Sequence, residues 1–277
     1  MKNLLKESKN FKILFEKSNN LISGRYSSKI KGNGIEFIDL KEYQLGDDIR
    51  KIDWNITARE NKPFIKEFLE EKDAFHYIFL DTSGSMKNKF LSAKIIASSL
   101  LISSYKCKDN FSIGFFNKNK IKIFKQSKNK SSLMRYIYEL SKIEANGKGD
   151  FQKILNRILL TINKRSIISI ITDELTLNSI EKSLLKIIKQ KHKLNYFHIY
   201  SSNEKNIEIG LNSFEDIETG KNEIYDLGYD EIKKYKYEFD KEIKSIETNL
   251  INLGIKPIII DTDIDLLNQI KKNKGVI

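Results

Sequence analysis

The run Phe75-His-Tyr-Ile-Phe-Leu-Asp81-Thr-Ser-Gly-Ser85 decides how the rest of the chain reads. A short, almost unbroken apolar run ending at an aspartate marks a strand buried on both faces, as in a parallel sheet. Residues 89–105, rich in Leu, Ile, Ala and Ser with few charges, follow as a well-buried helix. Residues 111–117 and 121–125 read as strands joined through Asn117-Lys-Asn-Lys120. Residues 131–143 read as a helix with Leu133, Met134, Ile137 and Leu140 along one face. The loop Asn146-Gly-Lys-Gly-Asp150 opens a helix whose Phe151, Ile154, Leu155, Ile158, Leu159 and Ile162 recur at helical spacing, with Asp150 placed to cap it. A second buried strand, 166–172, also ends at an aspartate, Asp173.

Outward from there the alternation continues: helix 180–191, strand 194–200, helix 230–250, strand 256–261 and helix 263–272. This predicts an α/β fold over 75–277, a doubly wound, mostly parallel sheet with helices on both faces. Residues 204–228 interrupt it. Ile207-Glu-Ile-Gly-Leu211 and Glu223-Ile-Tyr-Asp226 read as short strands around a Thr219-Gly220 turn, a small β insertion. Residues 1–74 read as an N-terminal α+β extension packed on the main domain. It has a helix over 1–21, a turn at Gly32-Asn-Gly34, a strand over 35–43 and a turn at Leu45-Gly-Asp-Asp48; 63–69 fits strand or helix.

Composition narrows the function classes. The net charge of +12 invites a nucleic-acid reading. Arginine occurs only at Arg25, Arg50, Arg59, Arg135, Arg157 and Arg165, however, and the chain is crowded with Lys, Asn and Ile, the residues of AT-rich codons. Codon bias can therefore supply the charge without a nucleic-acid function. The densest basic run, 118–130, alternates lysines around Ile121 and Ile123 as an edge strand does when lysine blocks further pairing. Cys107 stands alone, so no disulfide forms within the chain, which predicts a reducing cytoplasm and a small core residue. Charges at Lys2, Glu7, Lys9, Lys12 and Glu16 interrupt the first residues, leaving no apolar stretch for a signal peptide or a membrane span.

In a doubly wound sheet, ligands sit beyond the carboxyl ends of the strands where strand order reverses. If the strands ending at Asp81 and Asp173 are neighbours there, their carboxylates converge on one crevice. Ser83 and Ser85, two positions apart in a Gly-containing loop, can turn their hydroxyls toward it. Carboxylate and hydroxyl oxygens with a partial water shell suit a hard cation, Mg²⁺ first and Mn²⁺ or Ca²⁺ after it, rather than Zn²⁺. Such a shell has room for an acidic side chain from a partner.

Asp81-Thr-Ser-Gly-Ser-Met86 resembles the metal-ion-dependent adhesion site (MIDAS) of von Willebrand factor A domains. Gly34-Ile-Glu-Phe37, Glu42-Tyr43, Gly46-Asp-Asp-Ile-Arg50, Ile52-Asp-Trp-Asn55 and Ala58-Arg59 resemble the segment that precedes such a domain in the DUF58 family. The resemblance implies a von Willebrand A-like, Rossmann-like fold. It also implies a bacterial protein working with a MoxR-type AAA+ ATPase in maturing or remodelling other proteins. Asp81, Ser83, Ser85 and Asp173 would hold the metal, and Glu174 would add negative charge. The resemblance also calls for a threonine in the glycine loop, where Gly149 stands; either water fills that place, Asp150 reaches in, or the cation binds weakly. Two readings stay open for Asp47, Asp48, Arg50, Asp53, Trp54 and Arg59: an ion-pair cluster tying the extension to the domain, or a partner-binding surface. Trp54 is expected to pack rather than bind.

Enzyme readings lack their residues. His76 and His198 fall inside strands and His192 at a helix end, so no triad is assembled, and neither a Gly-x-Ser-x-Gly elbow nor a P-loop occurs. A metal-dependent phosphohydrolase of the haloacid-dehalogenase type wants an acid two residues past its first aspartate, where Ser83 stands. The sequence therefore predicts a binding module, with a phosphohydrolase and a lysine-rich nucleic-acid binder as alternatives.

Overall fold

A computed structural model describes residues 31–32, 36–69, 74–215 and 222–272. The expected helix over 1–21 and the turns at 32–34 and 219–220 fall wholly or mostly outside these. Two compact units are present, one within Ser23–Asp73 and one carrying Ala74–Ile277.

In the first unit, β1 (Lys31–Gly32), β2 (Glu36–Glu42) and β3 (Phe64–Leu69) form an antiparallel sheet in the order β1-β3-β2. Residues 63–69 thus resolve as a strand. A short helix absent from the sequence reading, α1 (Trp54–Glu60), starts where the Asp53 carboxylate accepts the amides of Asn55 and Ile56. It stops at Asn61, which takes the left-handed conformation. Asp53 also pairs with Lys66 at 2.8 Å, Asp47 with Lys41 at 3.0 Å and Asp48 with Arg50 at 3.1 Å. These pairs run within the segment. Trp54 is 67% exposed, which corrects the expectation that it packs: as the first residue of α1 it stands on an outward face.

The second unit is built on a six-stranded sheet of β4 (Phe75–Asp81), β5 (Asn110–Phe116), β6 (Ile121–Ile123), β7 (Ile167–Thr172), β8 (Lys193–Tyr200) and, last in the chain, β11 (Ile258–Asp261). Their order is β11-β8-β7-β4-β5-β6, parallel throughout except for β6. The chain leaves β4 toward β5, then returns to the other side of β4 as β7, so order reverses between β4 and β7. Every residue of β7 is buried, the reason its sequence is an apolar run.

Helices cover both faces. Ile78 and Leu80 of β4 face one core with α2 (Phe90–Lys106), α3 (Lys130–Lys142) and α7 (Leu266–Lys272). Phe79 faces the other with α4 (Phe151–Thr161), α5 (Ser179–Lys191) and α6 (Tyr229–Asn252). Gly114 of β5 pairs with Phe79 of β4 and leaves room for its ring, since an added Cβ would lie 2.7 Å from it. Helix α2 buries serines as well as aliphatics because Ser98, Ser99 and Ser104 bond back to carbonyls of its own preceding turns. On α3, Met134 is exposed and Tyr136 takes the expected core position, its hydroxyl on the Lys125 carbonyl. Cys107, just past α2, is half-buried.

Between β8 and α6 the β insertion forms an antiparallel ribbon of β9 (Gly210–Glu215) and β10 (Asn222–Leu227). Its first strand begins later than the sequence indicated. Residues 202–205 form a 3-10 turn, and Asn212 ties down the carbonyls of Glu208 and Gly210 as pairing begins. Helix α7 likewise starts at Leu266 rather than near Asp263, whose carboxylate is taken by Ser201 and the Asn203 amide.

Candidate cation crevice

The carboxyl ends of β4 and β7 lie side by side at the reversal, so the two strand-terminal aspartates open on the same cavity, of about 590 Å³. Asp81 is 3% exposed. One of its oxygens accepts the Ser83 amide at 2.9 Å, and the other accepts the Thr172 hydroxyl at 2.8 Å. The loop then curls, with the Ser85 hydroxyl on Asp173 rather than on Asp81. Ser83 Oγ lies 3.1 Å from Ser85 Oγ, and Ser85 Oγ donates to Asp173 Oδ1 at 3.1 Å. Hydrogen bonds therefore link Asp81 to Ser83 through the Ser83 amide, and the two serine hydroxyls to each other and to Asp173. The Gly84 amide on the Gly147 carbonyl, at 2.7 Å, and the Asn146 amide on the Thr82 carbonyl, at 2.9 Å, hold this loop against the glycine loop.

The electrostatics show a site short of positive charge on one side. Burial, with Asp173 nearby, pushes the Asp81 carboxyl up to about 6. Burial pushes Glu174 to about 7, helped by Glu181, Asp81 and Asp173. Beneath them Tyr196 is fully buried with an unpartnered hydroxyl, and burial raises it well above the ordinary tyrosine range. On Asp173 a cation is already present. Lys89, at the end of the 3-10 turn Gly84–Lys89, is 6% exposed and places Nζ 2.9 Å from Asp173 Oδ2 and 3.0 Å from Glu204 Oε1. Burial opposes its charge, but Asp173 and Glu204 outweigh that and hold it above the usual lysine range.

The donors fit a hard divalent cation: carboxylate and hydroxyl oxygens in one crevice. Among the described residues no group of three or more His, Cys, Asp or Glu is placed to hold a metal, so the serines would have to take part. Asp150 lines the same cavity and accepts the Lys153 amide of its helix at 2.9 Å; Glu174 lines it too and accepts the Thr176 amide. Gly149 lies beside Ser83: a Cβ built there would sit 3.6 Å from Ser83 Cβ, an ordinary contact. Thr172, Lys89 and Glu204 were missed from sequence. Thr172 stood in plain view next to Asp173; Lys89 and Glu204 carried no signal of burial.

A family model described as "Protein of unknown function DUF58" matches residues 39–245. "Uncharacterized protein Mb1516" of Mycobacterium bovis and "Uncharacterized protein Rv1480" of Mycobacterium tuberculosis are each 30% identical over 71 residues, 26% of this chain. The match spans 22% of the length of these curated relatives. Among solved structures, an aerotolerance-related membrane protein from Bacteroides fragilis is 15% identical, with 73% of this chain and 96% of that one covered and a TM-score of 0.45. A von Willebrand factor type A protein from Catenulispora acidiphila is 11% identical, with 76% and 43% covered and a TM-score of 0.43. No helix among the described residues is long and apolar enough to cross a membrane.

Proposed function

We propose that this chain, which belongs to the DUF58 family, is a non-catalytic protein-interaction module that uses a divalent cation, Mg²⁺ first, to engage an acidic group on its partner. The observation that carries this reading is the gathering of Asp81, the Ser83 and Ser85 hydroxyls and Asp173 on one crevice at the carboxyl end of the sheet, with the Ser83 amide on Asp81 and the two hydroxyls linked to each other and on to Asp173. Asp81, Ser83, Ser85 and Asp173 would hold the cation, with Thr172 fixing Asp81 and Glu174 adding negative charge. Bound there, the cation supplies a Lewis-acidic point with coordination positions left for a carboxylate from outside. A binding role also agrees with Ser83 standing where a phosphohydrolase would need an acid.

The partner we assign is a MoxR-type AAA+ ATPase in a bacterial cytoplasm, the joint task being maturation or remodelling of other proteins. Support for this comes from family membership and from the DUF58-like segment between Gly34 and Arg59. Co-purification with a MoxR-type ATPase from the same genome, in Mg²⁺ and in EDTA, tests it. Capture should require Mg²⁺ and drop for Asp81→Ala. Capture unchanged by EDTA and by that substitution would reject the cation-bridged mechanism.

A further inference from the structure

We propose that Lys89 is a built-in counter-ion of the crevice, which occupies one oxygen of Asp173 so that a bound divalent cation stays under-neutralised and selects an anionic group on the partner. This rests on the cation reading above and says what sets the affinity and selectivity of that site.

A lysine is almost never buried unless it is paired, and Lys89 is buried between two carboxylates that come from distant parts of the chain. Its placement divides the work of Asp173. Oδ1 faces Ser85 and the crevice, while Oδ2 is held by Lys89. A cation among Ser83, Ser85 and Asp81 would therefore meet one carboxylate bonded only to neutral donors, Asp81, and one whose charge is already offset by Lys89. Two neutral hydroxyls do not make up the difference. Counting only Asp81, Asp173 and the Lys89 ammonium on it, a doubly charged ion keeps one net positive charge at its own ligands, which attracts a carboxylate from outside.

Glu204 tunes this device. It lies on the turn Ser202–Lys205 that leads into the exposed β9–β10 ribbon, and it shares the Lys89 ammonium with Asp173. Neutralising Glu204 leaves the ammonium to Asp173 alone; removing Lys89 returns Asp173 to the crevice. The two changes should move cation affinity in opposite directions.

The test titrates the full chain with Mn²⁺, following bound metal by the relaxation of water protons. Acetate added to the loaded chain, as the simplest carboxylate, reports how readily the metal takes an outside ligand. Lys89→Met should bind Mn²⁺ about tenfold more tightly than the parent, the scale of one removed charge near a partly buried site. Its bound Mn²⁺ should respond less to acetate. Glu204→Gln, on a partly exposed turn and less demanding for folding, should weaken Mn²⁺ binding a few-fold, and it carries the test if Lys89→Met does not fold. Mn²⁺ binding by Lys89→Met where the parent shows none also supports the proposal. Equal Mn²⁺ affinity in the parent and both variants overturns the role of Lys89 and leaves the cation reading standing. No Mn²⁺ binding by any of the three overturns both.

Discussion

Two buried polar clusters sit in the same sheet, and they are built on opposite terms. Toward the amino end of β4, His76 is 2% exposed and lies between Ser104 Oγ at 2.7 Å and Ser169 Oγ at 2.8 Å. The chain of donors has one direction. Asn195 donates to Ser169, Ser169 to His76 Nε2, Nδ1–H to Ser104, and Ser104 to the Leu100 carbonyl. Each member is satisfied, the ring is neutral, and burial drives it down to about 3. Toward the carboxyl end of β4, Asp81, Ser83, Ser85 and Asp173 also bond in a chain, but like charges are gathered and the cluster opens on a cavity. The closed cluster is finished by the fold alone. The open one is left for a ligand to finish, and a buried group with strained electrostatics in a cleft is where function is sought.

That contrast breaks most sharply at Asp81. Asp81→Ala should weaken Mn²⁺ binding by roughly 100-fold or more, since loss of even supporting contacts costs 10- to 100-fold. Melting in EDTA should be retained, because a repelled buried charge goes with it. The closed cluster should behave the other way. His76→Leu leaves two buried hydroxyls short of a partner and should cost about 3 kcal/mol of stability in urea unfolding, with Mn²⁺ affinity within about twofold of the parent. A Mn²⁺ affinity that followed His76 instead would merge the two clusters into one functional unit.

A smaller effect comes from pH. Because the Asp81 carboxyl is raised from 3.8 to about 6 by folding, its contribution is fully present below 3.8 and is lost as pH rises through about 6. The EDTA-treated chain should therefore lose about 2 kcal/mol from this group between roughly pH 4 and pH 7. Asp81→Asn should reduce that slope and leave the part carried by Glu174, which burial raises to about 7; a slope unchanged in that variant would place the titrating group elsewhere. The smallest change sharpens the crevice. A Cβ at Gly149 meets only ordinary contacts with Ser83, so Gly149→Thr should bring a hydroxyl to this side of the crevice and tighten Mn²⁺ binding by about tenfold, roughly one added oxygen ligand. Weaker binding would mean that water already serves this position better.

Much of the second unit was legible because its signals are local. Residues 166–172 and 75–81 are mostly apolar because both of their faces are covered, and the spacing of Phe151, Ile154, Leu155 and Ile158 matches a helix with one buried stripe. The first unit gave less. Trp54 looked like core by residue type, yet it starts a seven-residue helix with no buried residue, whose existence rests on the Asp53 cap. At 207–211 an alternating apolar pattern promised a strand, but hydrogen bonds in the preceding turn and from Asn212 delayed it to Gly210.

By itself the sequence determined that two strands end in aspartate, that a serine pair follows the first, and that the chain has the DUF58 pattern, since each is written in contiguous residues. Only the tertiary structure decided that Thr172 clamps Asp81, and that Lys89 turns inward to share its charge between Asp173 and Glu204. A lysine ordinarily stays in water, and its burial becomes favourable only when separate segments bring carboxylates to meet it. That meeting depends on how the sheet is ordered, which no local pattern encodes.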